Sequence, residues 1–120
     1  MGMKKIVVNT MHDHLDLDDR LIEDLLDEAG IKYEVDARGF RHVDGYEDCF
    51  LVENMLRENK SLIAMVEAEE LENRAVIEIP EGVEYIICAD HEGFGGEWIE
   101  EKHRSWRCVL VENKYEIKEF

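Results

Sequence analysis

The stretch Glu97–Trp106, Glu-Trp-Ile-Glu-Glu-Lys-His-Arg-Ser-Trp, holds the densest set of groups able to do chemistry. Lys102, His103 and Arg104 stand in a row between two tryptophans, and Arg107 follows at once. A guanidinium can fork onto two phosphate oxygens, and an indole face can stack on a base. The stretch therefore suits an anion or a nucleotide. A plainer use is also open, with Trp98 and Trp106 in the core and Lys102 and Arg104 paired to Glu97, Glu100 or Glu101. Against it, cations are scarce here, with 14 Lys and Arg facing 30 Asp and Glu.

A second candidate is His12-Asp13-His14 with Asp16, Asp18 and Asp19 downstream. A His-x-His pair after a strand can turn both imidazoles toward one ion, and hard carboxylates can complete the site. A divalent metal there would activate water against a phosphoester. The competing reading is a solvated loop with an aspartate capping the next helix. Asp90-His91-Glu92 has acid–base groups without a positioned partner. Gly93-Phe94-Gly95-Gly96 would admit a phosphate near the backbone, or simply form a turn. The chain has no Walker-type loop, dinucleotide fingerprint or nucleophile motif. Cys49, Cys88 and Cys108 are odd in number and lack metal or redox spacing, so they read as reduced thiols.

The elements that would position these groups follow from periodicity. Lys4–Asn9 is a short apolar, β-branched run, read as a central strand. Thr10–Leu17 is a loop. Asp18 or Asp19 caps a helix to about Ala29, with Leu21, Ile22, Leu25 and Leu26 inward and Gly30 as its stop. Ile31–Val35 is a strand expected to join the first in one sheet. Asp36–Asp48 is an exposed loop. Cys49–Glu58 fits a helix slightly better than a strand. Ser61 caps a helix to about Leu71. Ala75–Ile79 and Val83–Ala89 are strands around the turn Pro80-Glu81-Gly82. Trp98–Trp106 can be strand or helix. One strand, the favoured reading, puts Trp98, Glu100, Lys102, Arg104 and Trp106 on one face, and a helix groups Trp98, Ile99, Lys102, His103 and Trp106. Cys108–Val111 and Tyr115–Phe120 close the chain, joined by a turn at Asn113-Lys114. The expected class is α+β, mostly antiparallel sheet with two or three helices. At 120 residues it is a single small domain.

A net charge of −16 repels DNA and anionic membranes at long range. Screening over about 8 Å leaves a small anion to local geometry. The three apolar residues after Met-Gly-Met-Lys-Lys are too few for a secretory signal.

The chain resembles a family of small phage and prophage proteins. The matching residues are Lys5-Ile6-Val7-Val8-Asn9, Ile79-Pro80-Glu81-Gly82-Val83-Glu84-Tyr85 and Glu97–Trp106, over about Lys4–Trp106. The last motif is the specific one. The resemblance is to the first-described phage anti-Thoeris sponges. It implies a pure binder that encloses a cyclic ADP-ribose-type immune signal, with cyclic oligonucleotides at a separate site in some members. It implies no catalysis, metal or cofactor. It also implies a homo-oligomer built from dimers, up to a hexamer, in the cytoplasm of the infected bacterium. Arg104 matches the family's most recognisable cation. Arg107 would reinforce it, and Trp98, Tyr85 or Phe94 would stack on the base. The chain departs from the pattern in the loop Thr10–His14, at Gly82, in a longer Asp90–Gly96 turn and in a tail beyond Trp106. Two other readings stay open. One is a metal-dependent phosphodiesterase using His12, His14 and Asp16. The other is an acidic inhibitor of a basic protein.

Overall fold

The computed structural model describes residues 2–11, 13–46, 49–89, 96–112 and 114–120. Among them the elements run β1 (Met3–Asn9), α1 (Asp19–Glu28), β2 (Tyr33–Val35), β3 (Arg41–Val43), α2 (Cys49–Arg57), α3 (Lys60–Glu67), β4 (Arg74–Pro80), β5 (Ile86–Cys88), β6 (Trp98–Glu101), β7 (Arg104–Val111) and β8 (Lys114–Glu119). This is a sheet-dominated α+β domain, as its alternating patterns predict.

The apolar run of β1 lacks alternation because both of its faces are covered. It pairs antiparallel with β4, Ile6 opposite Ile77 and Val7 opposite Val76. Ile6, Val8, Ile77 and Ile79 pack on Ile99 and Trp106 of a four-stranded sheet ordered β5-β6-β7-β8. Val7 and Val76 pack the other way, on Leu25, Leu56, Leu62 and Val66 of the helices. The β1–β4 ribbon is thus the middle layer between helices and sheet.

Helix α1 begins at an Asp18 carboxylate that accepts from the Arg20 amide at 3.2 Å. It ends where Gly30 turns left-handed at φ +73°. Helix α3 is capped by Asn59, which accepts from Leu62 N at 3.0 Å, and not by Ser61. The Ser61 hydroxyl instead donates to Glu28 at 2.7 Å. The helix stops at Glu67, short of the expected Leu71, and Glu69 follows at φ +60°.

Several expectations about strands are corrected. β1 is not a central strand, because among the described residues it pairs with β4 alone in a two-stranded ribbon. β2 does not join the sheet of β1; it pairs in a separate hairpin with β3, which lies inside the expected loop Asp36–Asp48. Asp36 Oδ1 closes that hairpin by accepting from the Arg38 and Phe40 amides at 2.9 and 3.0 Å. Trp98–Trp106 is not one strand but a hairpin turning at Lys102-His103. Glu101 stands opposite Arg104, and the two form an ion pair across the turn. Ile99 lies opposite Trp106, both in the core, so Trp98 projects from the other face of the sheet. β5 is also shorter than predicted and begins only at Ile86, although Val83 and Tyr85 before it pack on the core. The expected turn residue Asn113 lies outside the described residues.

Candidate functional site

Arg104 and Arg107 stand three apart on β7 and so face opposite sides of the sheet, and the hairpin puts Trp98 on the side of Arg107. Arg107 lies over the Trp98 ring, with the guanidinium carbon 4.3 Å from its centroid. Trp98 pairs with Cys88 on one side, and Arg107 pairs with Lys118 on the other. Cys88, Trp98, Arg107 and Lys118 therefore form one row across the open face of the sheet. Trp98 Nε1 donates to Glu100 Oε1 at 2.8 Å, which fixes the plane of the indole. Arg107 is exposed and makes no ion pair with the described residues.

Arg104 sits on the opposite face, 4.8 Å from the Trp106 ring. Its Nε donates to Glu101, and its Nη1 lies 3.4 Å from Glu119 Oε1. Two carboxylates thus occupy the group that the sequence reading favours. Lys102 and His103 are exposed at the turn. Phe94, His12 and the Asp90-His91-Glu92 set lie outside the described residues.

Tyr85 lines a cleft of about 860 Å³ between β5 and α2. That volume lies in the range of small-molecule sites, about 300–1,000 Å³. Asp13, His14 and Glu53 make its polar side, and Tyr85, Ile86 and Ile87 its apolar side. The Tyr85 hydroxyl donates to Glu58 at 2.9 Å, and Lys4 Nζ stands 5.5 Å from the ring. Burial, then Glu58, push the Tyr85 phenol well above its ordinary pKa, so it stays a neutral donor.

Sequence reasoning missed the floor of this cleft. Arg57 is 3% exposed and Glu97 5%. The Arg57 fork meets the Glu97 carboxylate at 2.8 and 2.6 Å. They lie 40 positions apart, so no spacing rule links them. The one local signal was an arginine directly after Leu56, beside the apolar stripe of α2. His14 Nδ1 lies 3.4 Å from Glu53 Oε2, and Nε2 lies 3.6 Å from Asp13 Oδ2. Among the described residues no three His, Cys, Asp or Glu side chains are placed to hold a metal ion. His12, one of the expected ligands, lies outside that set.

Cys88 and Cys108 are free thiols. Burial pushes Cys108 up to about 11; burial and the neighbouring Glu100 carboxylate also raise Cys88. Raised pKa values leave little thiolate at neutral pH, and the thiolate is the reactive form. Iodoacetamide at pH 7.5 should therefore modify Cys108 at least a hundredfold more slowly than free cysteine, as read by peptide mass spectrometry. The rate should climb with pH up to about 11. Rapid labelling of Cys108 at pH 7.5 in folded protein would contradict its burial.

Comparisons with protein families, with curated proteins and with solved structures return no match.

Proposed function

We propose that this chain is a non-catalytic binder that sequesters a cyclic nucleotide signal of the ADP-ribose type in the cytoplasm of an infected bacterium. The observation that carries the reading is Arg107 stacked on Trp98, with no carboxylate on it among the described residues. In a chain of net charge −16 this is a cation left available to phosphate. The row it belongs to begins at Cys88, which also lines the cleft. A ligand can thus place its phosphates near Arg107 and Lys118 while its sugar or base lies along the cleft. A base stacked on an aromatic ring gains about 1–3 kcal/mol. Effective sequestration needs a nanomolar dissociation constant, roughly −12 kcal/mol. Ile86 and Phe120, 62% and 64% exposed, flank the row on the same open face. They give a second copy of the chain an apolar surface to cover, in keeping with a site closed by a dimer.

A release assay tests this. The protein is incubated with glycocyclic ADP-ribose and related cyclic nucleotides, filtered, heat-denatured, and the released compound is identified. Intact ligand in stoichiometric amount is expected. A degraded product would replace sequestration with catalysis, and no retention would end the reading. The resemblance assigns the phosphate contact to Arg104, whereas the geometry favours Arg107. By calorimetry, Arg107→Ala should lose at least tenfold in affinity and Arg104→Ala clearly less. The reverse order would move the site to the other face of the hairpin.

A further inference from the structure

Glu97 directly precedes Trp98, and its carboxylate accepts four hydrogen bonds. Oε1 takes the Asn9 amide at 2.8 Å and Arg57 Nη1 at 2.8 Å. Oε2 takes the His14 amide at 3.0 Å and Arg57 Nη2 at 2.6 Å. Arg57 also donates to the Val7 carbonyl at 3.0 Å and to Glu53 at 3.1 Å. Glu53 in turn accepts from the Leu15 amide. One ion pair therefore ties the end of β1, the cleft wall at 13–15, helix α2 and the start of β6.

Two features set this pair apart from a surface ion pair. Both side chains are almost fully buried, at 3% and 2% exposure, and the contact is a two-pronged fork. Such a geometry fixes orientation as well as distance. Second, His14 holds φ at +65°, where a residue with a Cβ is strained. Strain of this kind persists only where the surroundings impose it. Glu97 Oε2 grips the amide of that same residue, and Asn9 Nδ2 grips its carbonyl at 3.0 Å.

We infer that Arg57 and Glu97 are positioning residues for the ligand, acting through Trp98 on the sheet side and His14 on the cleft side. The stacking surface and the cleft wall then behave as one body. The role in binding rests on the sequestration reading; the mechanical link between Trp98 and His14 does not.

The test uses the full chain labelled with 5-fluorotryptophan, which gives one fluorine resonance for Trp98 and one for Trp106. Trp98→Phe assigns them. Arg57→Lys keeps the charge and loses the fork. The double variant Arg57→Gln/Glu97→Gln keeps hydrogen-bonding groups and removes both charges. In either variant the Trp98 line should shift or broaden while the Trp106 line stays, and the His14 amide should exchange at least tenfold faster. Affinity for glycocyclic ADP-ribose should fall at least tenfold in protein that is still folded. An unchanged Trp98 line with unchanged His14 exchange overturns the inference. If the double variant does not fold, Arg57→Lys decides alone. If the wild-type protein binds no cyclic nucleotide, the sequestration reading fails by itself. The fluorine and exchange data then still decide the link.

Discussion

Arg57→Ala should lower the melting midpoint by roughly 10–20 °C. Truncation leaves the Glu97 carboxylate inside the protein without its counter-charge, and breaking one side of a buried pair costs about 3–5 kcal/mol. Each kcal/mol moves the midpoint of a domain this size by about 3–5 °C. The exposed pairs set the scale. Lys4–Glu58 and Lys5–Glu67, with side chains 32–47% exposed, should each change stability by less than about 1 kcal/mol when cut. The lost fork also frees the Val7 carbonyl and Glu53, so the damage spreads to β1 and to the cleft wall. Differential scanning calorimetry on Arg57→Ala beside Lys4→Ala checks both statements. Equal small shifts would mean that Glu97 relaxes to water and that the pair holds nothing in place.

Gly96→Ala should be about as damaging, for a steric reason. A Cβ at Gly96 would stand 2.4 Å from the Asn9 carbonyl oxygen and 2.4 Å from the Thr10 carbonyl carbon. Both are backbone atoms, so no side chain can swing away. The approach is close because Glu97 N donates to that same Asn9 oxygen at 2.7 Å. The methyl group must push β1 and the start of β6 apart, which breaks this bond and loosens the Glu97 carboxylate. The expected cost is about 3 kcal/mol, at the top of the overpacking range. Gly82→Ala is the control. Gly82 has φ +83° but no atom within 4 Å of a built Cβ, so only backbone strain is added, about 1 kcal/mol. Urea unfolding should therefore rank Gly96→Ala well below Gly82→Ala in midpoint. Equal midpoints would show that the two backbones separate at little cost.

Much of the fold was legible where the signal is local. The unbroken Ile6-Val7-Val8 run announced a strand, though one buried between layers and not central in a sheet, and Asp18 and Gly30 marked the two ends of α1. Where pairing is between distant segments, the sequence misled. The second strand was assigned to the first because strand, helix and strand follow closely. Its actual partner is Arg41–Val43, whose Arg-His-Val pattern reads as loop. The turn at Lys102-His103 was hidden because it lacks Gly, Asn or Asp, the residues that usually mark a two-residue hairpin. Without the turn, Trp98, Arg104 and Trp106 fall on one face; with it, Trp98 changes sides and joins Arg107. The basic–aromatic stretch was legible as a run of residue types, but not as a surface. Which of its cations is left without a carboxylate is a matter of register, and register does not show in composition.

The β1–β4 ribbon also dictates the order of events while the chain is being made. Its paired residues lie between 65 positions apart (Asn9 and Arg74) and 77 apart (Met3 and Pro80). β1 therefore leaves the ribosome long before its partner exists, by about 3–15 s at common elongation rates. During that interval Ile6-Val7-Val8 has neither layer to cover it. Closing so long a loop precedes any gain from the contacts, which slows folding relative to a helical protein of similar size. A nascent chain cut off before Arg74 has no middle layer on which helices could settle. Such a fragment is a substrate for chaperones and proteases, and the molecule becomes a protein only once both halves of its innermost ribbon have been translated.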